Sequence, residues 1–205
     1  MVDHLVFASP DLDAGVDAIE TLLGVRAVPG GSHPQWGTRN ALLALGPDVY
    51  LEIIAPDPEL SRPERGYAFG IDGLDKPTLV TWAIKSDNID VVSERAREEG
   101  YDPGPAFGGN RALPGGDTLQ WRLTLPQLDF GGGLVPFLID WGDSEHPAEA
   151  LPQGGRLVEL SGKHSNPARV SNALKALGVR MPVKRGARPQ LAAMIESESG
   201  PVWIT

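Results

Sequence analysis

Leu23-Gly24-Val25-Arg26 recurs later in the chain as Leu177-Gly178-Val179-Arg180, and both copies follow a stretch with apolar residues at helical spacing. A third such stretch ends at Gly100. A glycine after an apolar stripe of this period predicts a left-handed helix C-cap. Predicted strands precede and follow each helix, so the sequence predicts three βαβββ repeats. Since another copy can cover the sheet face that each repeat exposes, we expect an α+β fold of cupped mixed or antiparallel sheets with the helices outside.

Connectors rich in proline, glycine and acidic residues separate the predicted repeats. Such segments are typical of surface loops rather than of helices or strands. We therefore expect one domain of two paired repeats and a third, basic repeat that packs on this domain or across a dimer. The predicted boundaries are 1–147 for the domain (units 1–57 and 78–142) and 155–205 for the third unit.

The charge is distributed unevenly along the chain. Residues 1–155 carry 10 Lys+Arg against 24 Asp+Glu, whereas residues 156–205 carry 8 against 3, within a formal net charge of −9. We expect the basic third unit to dock on the acidic body, within one chain or in a homodimer. Few aromatic residues lie between its cations, which argues against nucleic acid as a partner.

Several classes of protein are excluded by what the sequence lacks. No apolar run reaches the roughly 18–20 residues of a membrane helix, and the first residues lack a basic, apolar leader, so we expect a cytoplasmic protein without a membrane partner. The chain has no cysteine, which excludes disulfides, thiolate metal ligands and a cysteine nucleophile. No phosphate-binding loop, G-x-S-x-G elbow or H-E-x-x-H helix occurs.

A family resemblance rests on four stretches. They are His4 on the opening strand, Gly31-Ser32-His33-Pro34-Gln35-Trp36-Gly37-Thr38-Arg39-Asn40, Tyr50-Leu51-Glu52-Ile53-Ile54-Ala55, and Pro136-Phe137-Leu138-Ile139-Asp140-Trp141-Gly142. Over roughly residues 3–147 the chain resembles the glyoxalase-like branch of the vicinal oxygen chelate superfamily. The resemblance implies a cup between two repeats, in which a divalent metal chelates neighbouring oxygens of a small-molecule ligand.

The resemblance also implies a set of metal ligands. His4 corresponds to the first-strand ligand and Glu52 to the last-strand ligand, and alternation along each strand allows both to face the cup. In the second repeat Thr81 stands at the position of His4, and the last-strand position falls on Leu138 or, with a shift of two residues, on Asp140. Histidine and carboxylate ligands suit zinc, iron, manganese or nickel.

The remaining site residues are expected from their placement around the cup. Glu52 is a metal ligand, a general base or a surface residue, and a pocket glutamate can abstract a proton next to a carbonyl. His33 lies in a predicted loop at the cup mouth and is the second catalytic candidate. The substrate-binding candidates are Trp36, Thr38, Asn40, Trp82 and Arg122. Arg122 either binds an anionic group or pairs with Asp140. His146 either folds over the pocket or lies at the surface, and we expect the surface.

Two functions follow from this reading. The first is a glyoxalase-like enzyme, of the isomerase, lyase or dioxygenase class, acting on a small oxygen-rich metabolite through a divalent metal held by His4 and Glu52. The alternative is a metal-free protein that binds or sequesters a small molecule in the same cup, which the missing third ligand and the tryptophans favour.

Overall fold

The computed structural model describes residues 1–112 and 118–205. The first repeat consists of β1 (Val2–Ala8), α1 (Leu12–Leu23), β2 (Val28–His33), β3 (Thr38–Ala44) and β4 (Tyr50–Pro56). The second consists of β5 (Thr78–Lys85), α2 (Ile89–Glu98), β6 (Ala106–Ala112), β7 (Thr118–Thr124), the short α3 (Leu128–Gly131) and β8 (Phe137–Asp140). The third consists of β9 (Arg156–His164), α4 (Pro167–Ala176), β10 (Val183–Arg185), β11 (Gln190–Ser197) and β12 (Gly200–Ile204). The predicted α+β class with three βαβββ repeats is confirmed.

The helices begin and end where local chemistry dictates. The Asp11 carboxylate accepts a hydrogen bond from the Ala14 amide at 2.9 Å and so caps α1, and the Asn166 side chain does the same for α4. Gly24 ends α1 with φ 76°, a left-handed conformation that glycine adopts without steric cost. Among the described residues, no helix combines the length and the hydrophobicity that crossing a membrane requires.

The chain divides into two compact units. The first-repeat unit comprises residues 4–80, 146–159 and 193–205, and the second-repeat unit comprises residues 1–3, 81–145 and 160–192. The third repeat therefore contributes residues to both units. The predicted domain boundaries stay a prediction.

In the first-repeat unit the strands lie in the order β2-β3-β4-β1. The β2/β3 and β3/β4 pairs are antiparallel, and β1 runs parallel to β4 with Val6 opposite Glu52. Helix α1 covers one face, because a Cβ added to Gly15 would lie 2.8 Å from Cγ2 of Ile53. Since side chains alternate along a strand, Glu52 points to the opposite face, here called the polar face.

In the second-repeat unit the strands lie in the order β5-β8-β7-β6. Helix α2 lies on the face that carries Arg122, which binds Asp90 of α2. Helix α4 of the third repeat packs against α2. The third repeat differs from the other two in its pairing: β9 runs parallel to β10, the strand after its helix, whereas β1 and β5 pair with the last strands of their repeats.

Candidate functional site

Six side chains that carry polar groups share the polar face. Strand residues that are opposite each other in register point to the same side of a sheet. Leu42 of β3 is opposite Glu52, Gly31 of β2 is opposite Asn40, and His4 of β1 is opposite Tyr50, so the side chains at these positions face the same side. None of the six exposes more than 8% of its surface. They are His4, His33, Thr38, Asn40, Tyr50 and Glu52.

Glu52 stands at the centre of this face, between an amide and an imidazole. Its Oε1 accepts a hydrogen bond from Nδ2 of Asn40 at 2.7 Å, and its Oε2 lies 3.9 Å from Nε2 of His4. Because burying a carboxylate is costly unless it is hydrogen bonded, the Asn40 amide is the contact that makes this position tolerable. One carboxylate oxygen is thereby fixed, while the other faces the imidazole. The structure thus brings together the two residues of the predicted ligand pair.

Asn40 is itself oriented by a second hydrogen bond. Its Oδ1 accepts from the backbone N–H of Gly31 on β2 at 2.9 Å. The amide oxygen is thus directed to β2 and the amide nitrogen to Glu52 on β4, which leaves one arrangement of the side chain that satisfies both partners. The carboxylate position is therefore tied to the backbone of two strands.

An aromatic pair supports the imidazole of His4. The Tyr50 ring stacks on it with ring centroids 4.6 Å apart and an angle of 20° between the planes. The ring of His146 meets Tyr50 edge-on at 5.6 Å. The expectation that His146 lies at the surface is wrong: it is 7% exposed, and its Nδ1 accepts from the Ala148 N–H at the start of a 3-10 helix. Nothing local in the sequence signals this burial.

His33 ends a strand rather than lying in the predicted loop. Strand β2 runs through Pro29 and the two glycines that follow it because it is an edge strand, where proline and glycine are tolerated. The His33 ring nitrogen Nδ1 lies 3.2 Å from Oγ1 of Thr38, and the backbone N–H of Trp36 donates to the His33 carbonyl in the turn between β2 and β3. His33 and Thr38 therefore occupy the end of the polar face.

Asp57 follows β4 directly and is also buried. The Ser32 hydroxyl donates to its Oδ2 at 2.7 Å, and the Glu59 N–H donates to its Oδ1 at 3.0 Å. The Ser32 hydrogen bond is the main cause that lowers the pKa of Asp57 below its ordinary value, with a smaller contribution from the charge of Arg39. This carboxylate therefore stays ionised as part of the sheet edge.

Arg122 and Asp140 lie on the α2 side of the second-repeat sheet, opposite each other in register. Arg122 forms two hydrogen bonds to Asp90, at 3.0 and 3.1 Å, which raise the pKa of Arg122 and lower that of Asp90. The Asp140 carboxylate accepts from the N–H of Gly142 at 2.9 Å. Both side chains thus have hydrogen-bond partners within the second-repeat unit. The predicted roles of Arg122 in substrate binding and of Asp140 in metal binding stay predictions.

Trp82 also lies on the α2 side of this sheet. Ile84, two residues further along β5, is opposite Leu138, which faces the same side of β8 as Asp140. Its indole N–H donates to the Leu134 carbonyl at 3.0 Å, and the ring is 2% exposed. The alternation along β5 points Thr81 to the other side, where its hydroxyl is buried and lacks a hydrogen-bond partner among the described residues. A role for Trp82 in ligand binding stays a prediction.

The polar face carries fewer metal-binding side chains than a divalent ion needs. Catalytic zinc sites use three protein ligands and structural sites four. His4 and Glu52 provide two, and within residues 1–112 and 118–205 no group of three or more His, Asp or Glu side chains lies close enough to hold an ion. The described side chains therefore do not form a complete protein site for zinc, iron, manganese or nickel.

The chain is similar to several solved structures at low sequence identity. A hypothetical protein from Staphylococcus aureus is 16% identical, with a TM-score of 0.71, and the similarity covers 100% of this chain and 98% of that one. A methylmalonyl-CoA epimerase from Mycobacterium tuberculosis is 22% identical over 73% of this chain and 91% of its own, with a TM-score of 0.45. A methylmalonyl-CoA epimerase in complex with methylmalonyl-CoA and NH4+ is 21% identical over 71% and 97%, with a TM-score of 0.46. No curated protein matches the chain.

The family assignment comes from the sequence over most of its length. The sequence model of the glyoxalase-like domain family matches residues 2–178. This match extends beyond the resemblance at residues 3–147 and includes all of α4. The predicted resemblance is confirmed. The protein therefore belongs to the glyoxalase-like domain family.

Proposed function

We propose that the protein is an enzyme acting on a small oxygen-rich metabolite, with Glu52 as the proton acceptor. The observation that carries the proposal is the Glu52 carboxylate, buried on the polar face, with Oε1 held by Asn40 and Oε2 directed to His4. A carboxylate in such a setting is suited to general-base catalysis, since its geometry is fixed before the substrate arrives.

The distance between His4 and Glu52 supports joint action on a substrate. At 3.9 Å, Nε2 and Oε2 are too far apart for a hydrogen bond between them. Each group can therefore reach a substrate atom that enters beside it. The proton on a carbon next to a carbonyl moves to Oε2 of Glu52, and the electron pair of the broken C–H bond remains on the substrate as an enolate. In this proposal His4 takes the tautomer with an N–H at Nε2 and donates to the enolate oxygen.

This first step is shared by isomerases and lyases. Return of the proton to a different face or carbon isomerises the substrate, and expulsion of a neighbouring group completes an elimination. The rest of the polar face orients the ligand: Tyr50 fixes the plane of the His4 ring, and Thr38 and His33 present polar groups at the strand end. Trp36, Trp82 and Arg122 stay substrate-binding predictions, as does the dioxygenase class.

A second candidate function is metal-free binding of a small molecule on the same face. It is favoured by the incomplete donor set, in which His4 and Glu52 have no third ligand among the described residues. A divalent ion (zinc, iron, manganese or nickel) with Asp140 as a further ligand is the prediction from the resemblance, and it competes directly with this candidate.

Proton abstraction is tested by incubating the protein in D2O with a panel of small 2-oxo acids, hydroxyketones and acyl thioesters. Loss of the C–H signal beside the carbonyl is followed by NMR. Glu52→Gln should slow exchange by about 10²–10⁴-fold, whereas Glu94→Gln, on the exposed side of α2, should leave it unchanged. Full exchange by Glu52→Gln would overturn the assignment of the base, and binding without exchange across the panel would favour the metal-free candidate.

The metal prediction has its own measurement. Elemental analysis is made on the purified protein and again after addition of each of the four ions and gel filtration. A stoichiometric ion that is lost in His4→Ala, but kept in His164→Ala as the matched control, would confirm the ligand. Less than a tenth of an equivalent with every ion would contradict it.

A further inference from the structure

The polar face carries one carboxylate and no lysine or arginine. Along β1 to β4 of the first-repeat unit, the strand positions that point to this side are fixed by alternation and by the register of the pairs. Two of these positions hold histidine, His4 and His33, and Glu52 provides the carboxylate. Every other position holds an uncharged residue. The four described strands therefore supply this face with a negative charge and with no permanent positive one.

Four arginines of the same unit act on other carboxylates. Arg39 precedes Asn40 on β3, so alternation points it to the side that α1 covers. There its charge contributes, after the stronger effect of the Ser32 hydrogen bond, to the lowered pKa of Asp57. The other three bind carboxylates of α1, of the segment between β4 and β5, and of β11, and they are Arg26, Arg62 and Arg156.

The histidines do not replace the missing cation. Nε2 of His4 lies 3.9 Å from Oε2 of Glu52, so a proton on this ring would only balance the charge that Glu52 carries as a base. Nδ1 of His33 lies 3.2 Å from the Thr38 hydroxyl, and a charge on His33 would interact with the carboxylate of Asp57. A ligand anion would therefore find no excess of positive charge on the four described strands.

A ligand carboxylate beside Glu52 would be repelled. Like charges repel more strongly where burial lowers the effective dielectric constant, and the Glu52 side chain is buried. Burying a charge without a counter-ion is itself costly. A neutral carbonyl group carries neither cost, and its oxygen can still accept a hydrogen bond from His4.

We propose that the polar face selects substrates whose reacting carbonyl has uncharged neighbours, such as ketones, esters, thioesters and amides, and rejects those with a free carboxylate next to that carbonyl. The selection acts by repulsion, which is one of the two ways in which a site discriminates between ligands. The inference rests on the proposed function, in which Glu52 is the ionised base. It narrows the substrate class, because hydroxyketones and acyl thioesters fit this face and 2-oxo acids do not.

A matched pair of compounds tests this selection on the wild-type protein. Pyruvate and pyruvamide are similar in size and carry the same methyl group beside a ketone, but pyruvate is charged. Exchange of the methyl protons in D2O is followed by NMR, and each rate is divided by the acetate-catalysed rate of the same compound to correct for its intrinsic acidity. We expect pyruvamide to exceed pyruvate about 100-fold, which corresponds to about 2.8 kcal/mol and to the repulsion of two unit charges about 6 Å apart at an effective dielectric constant of about 20.

Binding of both compounds is measured on the same samples from the chemical shifts of the protein. If pyruvate exchanges as fast as pyruvamide, the inference is overturned while Glu52 can still be the base. If neither compound exchanges but pyruvamide binds at least about tenfold more tightly, the selection is supported and proton abstraction is what fails. Equal binding without exchange, or no binding of either compound, would overturn the inference.

A charge variant gives an independent measurement. Val28 of β2 is opposite Leu42, which is opposite Glu52, so its side chain points to the polar face. Val28 is 37% exposed, which leaves room for a longer side chain, and Val28→Arg should raise the rate of pyruvate relative to pyruvamide by about tenfold. Leu22→Arg, on α1 and 41% exposed, makes the same change in net charge and should alter this ratio by less than about twofold. Equal shifts in the two variants would contradict the inference, because net charge rather than the polar face would then set the selection.

Discussion

Replacing Asn40 by alanine tests whether its amide holds the Glu52 carboxylate. The variant loses the 2.7 Å bond to Glu52 and the 2.9 Å bond from the Gly31 N–H. A hydrogen bond to a charged group contributes about 1.5–3 kcal/mol, and one between neutral groups about 1 kcal/mol. We therefore expect Asn40→Ala to lower the free energy of unfolding by about 2.5–4 kcal/mol, measured by guanidinium denaturation.

A double-mutant cycle separates the two bonds. Asn40→Ala and the double variant both lose the bond to Gly31, whereas Glu52→Ala keeps it. This contribution therefore cancels in the cycle, and the coupling energy reports the amide–carboxylate contact alone. The coupling should be about 1.5–3 kcal/mol. Circular dichroism and fluorescence transitions must coincide, because the chain has two compact units and the cycle requires two-state unfolding. A coupling below about 0.5 kcal/mol, the usual limit of additivity, would refute the reasoning.

Asn40→Asp is the conservative comparison for this cycle. It keeps an oxygen that accepts from the Gly31 N–H but replaces the donor to Glu52 by a second carboxylate. Two buried carboxylates in contact repel each other when both are ionised. The variant should therefore recover stability relative to wild type as the pH falls, while hydrogen exchange of the Gly31 amide stays slow. Fast exchange at Gly31 in Asn40→Asp would show that the second bond is not made as described.

Three further predictions concern packing and titration. Gly15→Ala should destabilise the protein by a net of about 1 kcal/mol, because contact with Ile53 at 2.8 Å costs about 2 kcal/mol and outweighs the gain of about 1 kcal/mol in helix propensity; a raised melting temperature would contradict this. Burial raises the pKa of Tyr101 from 10.0 to about 12, so its contribution to stability is complete below pH 10 and is lost as the pH rises toward 12. Tyr101→Phe should flatten this alkaline loss in circular dichroism, and an unchanged curve would count against it. Ser32→Ala should move the depressed pKa of Asp57 back toward 3.8, and should reduce the stability lost as the pH falls through the folded-state pKa; a carboxyl ¹³C titration that coincides with wild type would reject the assigned cause.

The repeat architecture could be predicted because its signals are local. Gly24 and Gly178 follow apolar stripes and adopt φ angles of 76° and 75°, as expected for helix stops. Asn166 caps α4 ahead of Pro167, a pair that needs no tertiary contact to form. These residues act within one turn of chain, so the sequence contains all the information that their conformation requires.

The polar face could be predicted only in part. Alternation places Tyr50 and Glu52 on one side of β4, but which side α1 covers depends on its packing against Ile53. The burial of His146 against Tyr50 joins residues far apart in sequence, and no local pattern encodes such a contact.

The partner of Arg122 could not be predicted from the sequence either. Its parity relative to Trp121 was visible in the sequence, yet its partner is Asp90, 32 residues away on a helix, rather than Asp140. The choice depends on the side of the sheet to which α2 packs. The parallel pairing of β9 with β10 could not be predicted either. After a strand and a helix, the next strand can pair on either side of the first one.

The strands that carry Glu52 and its neighbours are joined by short connections within the first repeat. Closing short loops costs little chain entropy, and domains assemble from the N-terminus during synthesis. On the ribosome, His4, Asn40, Tyr50 and Glu52 can accordingly meet while the later repeats are still being translated. The order of synthesis thus lets these four side chains meet before His146, from a later part of the chain, packs on Tyr50 in the same unit.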